Sequence, residues 1–314
     1  MDEFNRYAED GCHYMTPEEL DAFMNKAMPG IFDRDSVENK ILDVRYGTLE
    51  TQLLDIYYPG SDSNKDAVYP VIFYIHGGAW MLGNRYSGSI NSIFDATNHG
   101  YVVVAVEYRL YPEVKFPEFI FDIKTAVRWA RAHAAEYRFD PDRFGMIGDS
   151  AGAYNALMTA FTANRPEYEG AEYGWADFSS ALNVVCGQYG TSDLSIDKRD
   201  YYRLSGVKRL QREPADAPGL YDQIWCSDNP GILRLCSPIS HVTKSIPPVL
   251  LMHGKMDGSV PYQNSTALAE KIEKVCGKDR IRLLLFENLN HSDPFFNSAD
   301  NAALVIDYFD RYLK

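Results

Sequence analysis

An α/β fold built on a mostly parallel, doubly wound sheet is predicted by three features of the sequence. Short unbroken apolar runs recur from residue 70 onward, a helical segment separates several of them, and two strand-like runs joined by a tight turn come before them all. The runs are VIFYI (71–75), YVVVAV (101–106), RFGMI (143–147), LNVVC (182–186), PVLLM (248–252) and IRLLLF (281–286). Apolar on successive residues rather than alternate ones, they read as strands covered on both faces, as parallel strands are. Between them, 119–135 carries Phe119, Ile123, Ala126, Val127 and Ala130 at the spacing of one helix face. Strand and helix in alternation argue for one doubly wound layer.

Ahead of the sheet, ILDVRYG (41–47) and TQLLDIYYP (51–59) predict an antiparallel hairpin. Still earlier, Thr16 as N-cap, Pro17 in the first turn and Glu19 at the capping-box position predict a short helix over 17–28 that Gly30 ends. The stretch 188–246 breaks the rhythm, being rich in Tyr, Asp, Pro and Arg and too long for a plain connection. It is expected to be a cap-like insertion over the active face of a single domain spanning 1–314. No repeat and no Pro/Ser linker divides the chain.

Composition narrows the partners. The 31 basic and 44 acidic side chains leave a formal charge of −13, and no Lys/Arg stripe is present to neutralise a phosphate backbone, so nucleic acid is not an expected partner. The start MDEFNRYAED is acidic where a leader would be basic and apolar, and no run of about 18 apolar residues occurs. A cytoplasmic chain with no membrane partner is expected, or a secreted or periplasmic one if a leader preceded Met1. Five cysteines, Cys12, Cys186, Cys226, Cys236 and Cys276, include no C-x-x-C pair, so free thiols are the default, with Cys226 and Cys236 the pair that could bridge in an oxidising compartment.

The chemistry is announced by Gly148-Asp149-Ser150-Ala151-Gly152, a G-x-S-x-G sequence directly after the strand RFGMI and before the helix-like AYNALMTAF. A serine there sits on a sharp strand-to-helix turn, crowded enough to need small neighbours, with a helix N-terminus behind it that favours negative charge. A hydroxyl is a weak nucleophile until a base removes its proton. After the last strand the one remaining histidine is His291, in the polar loop ENLNHS. The acid that orients it should follow the preceding strand, where HGKMDGSVP supplies Asp257. Asp279, Asp293 and Asp300 fit less well, since none follows that strand closely. His76-Gly77-Gly78-Ala79-Trp80 leaves the strand VIFYI with an unencumbered backbone, so Gly77 and Gly78, together with Ala151, are the expected N–H donors to an oxyanion. His76 is expected to hold this loop by hydrogen bonds rather than to serve as a second base.

These residues lie within a wider likeness. LLDIYYP, YIHGGAWMLGN, VAVEYRLYPEVKFPE, FDIKTAVRWARAHAAEYRFDPDRFGMIGDSAGA, SPISHV and PPVLLMHGKMDGSVPYQNS resemble the α/β-hydrolases of the hormone-sensitive-lipase and carbohydrate-esterase type, in particular the bifunctional feruloyl and acetyl xylan esterase-like group. The likeness runs over roughly residues 50–293 apart from much of the insertion. It implies the α/β-hydrolase fold, ester hydrolysis, and the same Ser150, Asp257, His291 and oxyanion donors; the mechanism expected is acyl transfer through an acyl-enzyme, with no cofactor. Three positions depart from the pattern: Glu107 where Asn or Asp often stands, Tyr111 where Ser or Ala often precedes the proline, and Ala153 for a frequent second glycine. They touch none of the three reacting residues and so bear on the pocket.

The expected substrate is a small-molecule or oligosaccharide ester with a short or aromatic acyl group, including acetyl or feruloyl groups on plant carbohydrate. Trp80, Tyr111, Tyr189 and Trp225 are the candidate substrate-binding residues, with Tyr201 and Tyr202 beside them in the insertion, because such rings stack on sugars and phenols. An amidase or peptidase on the same scaffold, or a ligand-binding relative that has lost the chemistry, remain alternative readings. No H-E-x-x-H, paired Cys/His spacing, G-x-G-x-x-G or G-K-[ST] is present. Hydrolytic activity is therefore expected to survive EDTA, and a loss on chelation that zinc restores would overturn the serine reading.

Overall fold

The computed structural model describes residue 16, residues 18–19, 30–60, 67–195 and 230–314. Eight strands form one sheet: β1 (Lys40–Arg45), β2 (Leu53–Tyr57), β3 (Tyr69–Ile75), β4 (Val102–Val106), β5 (Phe139–Asp149), β6 (Val184–Gln188), β7 (Val249–Gly254) and β8 (Ile281–Phe286). Their order is β1-β2-β4-β3-β5-β6-β7-β8. The opening hairpin is antiparallel and joins the sheet by pairing β2 antiparallel to β4; every pairing from β4 across to β8 is parallel. This is the α/β-hydrolase arrangement.

Burial explains the sequence patterns. Edge strand β1 alternates between half-buried and exposed residues, while β4, β6 and β7 are buried along their whole length. The period of two survives inside those buried runs. Val71, Phe73, Ile75, Val104, Met146, Val185 and Leu251 face one core, and Ile72, Tyr74, Val103, Ile147, Cys186, Leu250 and Met252 face the other. The first core is closed by α1 (Glu118–Ala132), α2 (Ala151–Phe161) and α4 (Gln263–Cys276), and the second by α5 (Ala299–Leu313). The short α3 (Pro230–Leu235) precedes β7.

Several strand ends differ from expectation, those of β5 and β6 among them. β5 runs on through Gly148 and Asp149, and β6 lies two residues later than LNVVC, because Gly187 and Gln188 find ladder partners in Gly148 and Asp149 on one side and Leu251 and Met252 on the other. Of the expected first helix, Thr16, Glu18 and Glu19 are described, and Thr16 and Glu19 make the reciprocal capping bonds, 2.9 and 3.2 Å. The rest of 17–28 lies outside the described residues, as do Cys12 and Cys226. Cys186, Cys236 and Cys276 are free thiols, and burial pushes all three up. Among the described residues no helix is long and apolar enough to cross a membrane.

The expected insertion is described at its two ends, which meet. Leu194 N–H donates to Ser237 Oγ (2.9 Å) and Ile239 N–H to the Ser192 carbonyl (3.0 Å). Asn264 at the start of α4 accepts from the N–H groups of Ser192 and Asp193, and Tyr154 of α2 donates to the Cys236 carbonyl at 2.6 Å. At the other end of the sheet a buried carboxylate, Asp55 on β2, collects Arg85 and Arg34, and accepts the Asp43 N–H where β1 bulges.

The strand order places loops. β3 pairs with β4 on one side and β5 on the other, so the chain crosses over β3 and the loops leaving β3 and β5 diverge from neighbouring strand ends. Such a switch point is where open α/β sheets bind ligands. Here Ile75 is in register with Gly148, and the turn beyond is packed backbone to backbone. A Cβ on Gly152 would lie 2.1 Å from the Ile75 carbonyl oxygen, whereas one on Gly60 meets nothing within 4 Å. Gly152→Ala is expected to lose about 1–3 kcal/mol of stability to overpacking and Gly60→Ala to leave it nearly unchanged; equal midpoints in urea melts would contradict this packing.

Candidate active site

Ser150 is the residue between β5 and α2, and it holds φ 52°, ψ −118°. That conformation is costly for a residue with a Cβ, about 1–3 kcal/mol, and persists only where surroundings enforce it. They do so here. Ser150 N–H donates to the Gln188 carbonyl at the end of β6 (2.9 Å), its own carbonyl accepts from Ala153 N–H (3.0 Å), and a Cβ on Gly148 would fall 2.2 Å from the Gly152 oxygen. The result is a partly exposed hydroxyl at the carboxyl edge of the sheet.

His291 and Asp257 reach it from the loops after β8 and β7. His291 Nε2 is 3.0 Å from Ser150 Oγ, and Nδ1 is 2.8 Å from Asp257 Oδ2. With Nδ1–H donated to the carboxylate, Nε2 is the free lone pair that accepts the serine proton. Asp257 is fully buried, and its Oδ1 accepts from the N–H groups of Ser259 (2.8 Å) and Val260 (2.7 Å). Burial opposes its ionisation, but the His291 charge and the hydrogen bonds from His253 and His291 outweigh that and hold the carboxyl well below the usual carboxylate range.

The two loops are stitched together by a residue the sequence did not single out. Asn290 Oδ1 accepts from Gly258 N–H (2.9 Å) beside Asp257 and from His291 N–H (2.7 Å). Met256 N–H donates to the Leu289 carbonyl, and Gly254 is bare because a Cβ there would lie 2.1 Å from that same oxygen. An Asn before the histidine was the available signal, yet its partner lies 32 residues away.

The glycine loop after β3 needs one correction. Gly77 is buried, and its N–H is engaged by the Asp149 carboxylate, whose Oδ1 also accepts from Tyr74 Oη at 3.1 Å. Burial pushes the Asp149 carboxyl up, against the pull of His76, Tyr74 and that N–H. Gly77 therefore ties the loop to the serine turn instead of presenting a donor. Gly78 is half-buried, Ala79 is exposed, and among the described residues their N–H groups and that of Ala151 have no hydrogen-bond acceptor. Ala79 was missed because a run of small residues marks the loop without saying which N–H faces outward. His76 lies wholly buried, donates Nδ1–H to the Gly77 carbonyl (2.7 Å) and stacks on Tyr108 (4.4 Å between centroids), as a loop-holding residue does.

The aromatic candidates are mostly elsewhere. Trp80 is buried, with Nε1–H donated to Asn155 Oδ1 (2.9 Å) and its ring edge-on to Tyr154, so it anchors the loop to α2 rather than lining a pocket. Tyr189 is fully buried under the site, edge-on to His291 at 5.0 Å and tilted on Phe296 at 4.5 Å, so it supports the imidazole. Tyr111 is half-buried, its N–H donated to the Trp80 carbonyl. Trp225, Tyr201 and Tyr202 lie outside the described residues. Two of the departing positions also turn inward: Glu107 binds Arg85 (2.8 Å), and Ala153 packs so close to Gly190 that a Cβ there would meet it at 2.4 Å. Among the described residues no group of three or more His, Cys, Asp and Glu side chains could hold a metal.

Comparison with known proteins agrees with this architecture. Esterase LipC of Mycobacterium tuberculosis is 31% identical over 256 residues, 82% of this chain and 60% of that one. The isoprenylcysteine alpha-carbonyl methylesterase ICME of Arabidopsis thaliana is 26% identical over 260 residues, 80% of this chain and 56% of its own. The chain thus spans 60% or less of the length of these curated relatives. A solved structure described as a truncated form of a carbohydrate esterase from gut microbiota superposes with a TM-score of 0.74 at 24% identity, covering 90% of this chain and 99% of that one. The family model BD-FAE matches residues 54–272, and the chain belongs to that family of α/β-hydrolases.

Proposed function

We propose that the chain is a serine carboxylic ester hydrolase that works through an acyl-enzyme, and the observation that carries this is the unbroken line Ser150 Oγ, His291 Nε2 and Nδ1, Asp257 Oδ2 at a strand-end crevice. Ser150 Oγ attacks the ester carbonyl while His291 takes its proton, and the carbonyl oxygen gains negative charge near the N–H groups of Gly78, Ala79 and Ala151. His291 then gives the proton to the departing alcohol. Water, activated by the same imidazole, attacks the acyl-serine and releases the acid and Ser150. Membership of the BD-FAE family and the esterase names of the relatives support this reading.

For the substrate, we infer esters with small acyl groups, acetyl or feruloyl groups on carbohydrate among them. Exposed apolar side chains on the loops that carry Gly78 and Asp257 are Met81, Leu82 and Met256, a short apolar rim rather than a long aliphatic groove among the described residues. The likeness to a carbohydrate esterase points the same way.

Ser150→Ala and His291→Ala are each expected to lower kcat by about 10⁴-fold or more, with Asp257→Asn also strongly reduced, while thermal melts stay near wild type. A serine-directed fluorophosphonate should label the wild type and not Ser150→Ala; retention of a tenth of kcat in that variant sinks the nucleophile assignment. Because the base must be neutral to accept the proton, kcat/KM should fall on acidification along a single ionisation. Across p-nitrophenyl acetate, butyrate and laurate and methyl ferulate, laurate should be the poorest substrate, and a lead for laurate in kcat/KM would replace the carbohydrate-ester reading by a lipase one. Matched acyl anilides should react far more slowly than the esters, and the reverse order would make the chain an amidase.

A further inference from the structure

Asp257 serves two imidazoles. His253, at the penultimate position of β7, is wholly buried and sets Nε2 3.1 Å from Asp257 Oδ2, the same oxygen that lies 2.8 Å from His291 Nδ1. Its protonation pattern follows from its neighbours. Nε2 faces only acceptors, the ionised Asp257 oxygen and the Val260 carbonyl at 3.0 Å, so Nε2 carries a proton. Nδ1 lies 2.7 Å from Ser265 Oγ on α4, a hydroxyl able to donate to it. A neutral imidazole with Nε2–H and a donating Ser265 therefore satisfies both ring nitrogens. A second positive charge on the ring would stand against the His291 imidazolium across one carboxylate oxygen.

We propose that His253 is a positioning residue that tempers Asp257. A donor on a carboxylate oxygen withdraws electron density from it and weakens it as a base. The oxygen in question is the one that stabilises imidazolium at His291. By sharing it, His253 limits how firmly His291 keeps the proton taken from Ser150, so that the base is neutral again for the next step. Placement and electronics are separable here, because Oδ1 is fixed independently by the Ser259 and Val260 N–H groups. Other groups around the pair are Asp149 from the end of β5, whose charge is felt at His291, and Tyr189 after β6, whose ring is edge-on to it. Neither donates to Asp257 Oδ2, so His253 has a role of its own. This inference rests on the reading of Ser150, His291 and Asp257 as the reacting set.

The test is the pH profile of kcat/KM for p-nitrophenyl acetate in wild type, His253→Leu and His253→Gln, with fluorophosphonate labelling and thermal melts alongside. In His253→Leu the acid limb should move to higher pH by about half a unit or more, since an untempered carboxylate holds the His291 proton longer, and kcat should fall about tenfold with KM little changed. In His253→Gln, whose side-chain N–H can occupy the place of Nε2–H, the limb should return toward wild type. A wild-type limb in folded His253→Leu, or identical limbs in the Leu and Gln variants, overturns the proposal. Should the leucine variant fail to fold, ¹⁵N shifts of the wild-type imidazole decide: a neutral ring protonated at Nε2 supports the role, and one protonated at Nδ1 overturns it. Absence of labelling in wild type would instead bring down the nucleophile assignment, and this proposal with it.

Discussion

Where β3 ends beside the turn from β5 into α2, backbone passes backbone with no room for a single side-chain carbon. Gly152 lies against the Ile75 and His76 carbonyls, Gly148 against Gly152, and Gly77 against Asp149 and Ser150. From this contact the rest of the site follows. It forces Ser150 into a left-handed conformation that lifts its hydroxyl clear of the sheet, and it brings the glycine loop next to that hydroxyl. The helix beginning at Ala151 then points its first N–H groups at the same place, a favourable setting for negative charge. Strain of this kind needs rigid surroundings, and the fully buried strands β4, β6 and β7 with helices over both faces supply them.

A second constraint is longer in range. His291 and Asp257 belong to loops leaving adjacent parallel strands, β8 and β7, so their meeting is fixed by register as much as by side chains. Asn290 and the Met256–Leu289 backbone bond make the two loops one unit, with Tyr189 and Phe296 packed behind the imidazole. The buried carboxylate is kept charged by donors on both oxygens, as a group in low-dielectric surroundings requires.

What the sequence revealed and what it hid follow from the same physics. Strands buried on both faces appear as unbroken apolar runs, and a turn that tolerates no Cβ must spell itself in Gly, so the sheet, the serine turn and the loops of Asp257 and His291 were legible. The boundaries of β6 were not, because pairing with its neighbours, rather than its own residues, set them. Aromatic side chains were the least legible. Trp80 and Tyr189 follow strands near the site exactly as ring-binding residues would, but the large apolar area of such a side chain is as well satisfied by a core as by a ligand. Gly77 and Gly78 look alike in sequence, and only the position of the Asp149 carboxylate separates the anchoring N–H from the outward one.

The closed stem at Ser192–Leu194 and Ser237–Ile239 bears on how such a protein diversifies. Its two arms are bonded to each other and to α2 and α4, so the chain between them departs and returns at one seam. Joining ends that already meet costs little as the joined segment grows, about 0.6 kcal/mol for each doubling of loop length. None of Ser150, His291 and Asp257 takes part in the stem, so the closure is held by bonds other than those that assemble the three. A seam bonded in this way is a natural junction for an insertion, because the cost of closing the loop has already been met by contacts within the described sheet and helices.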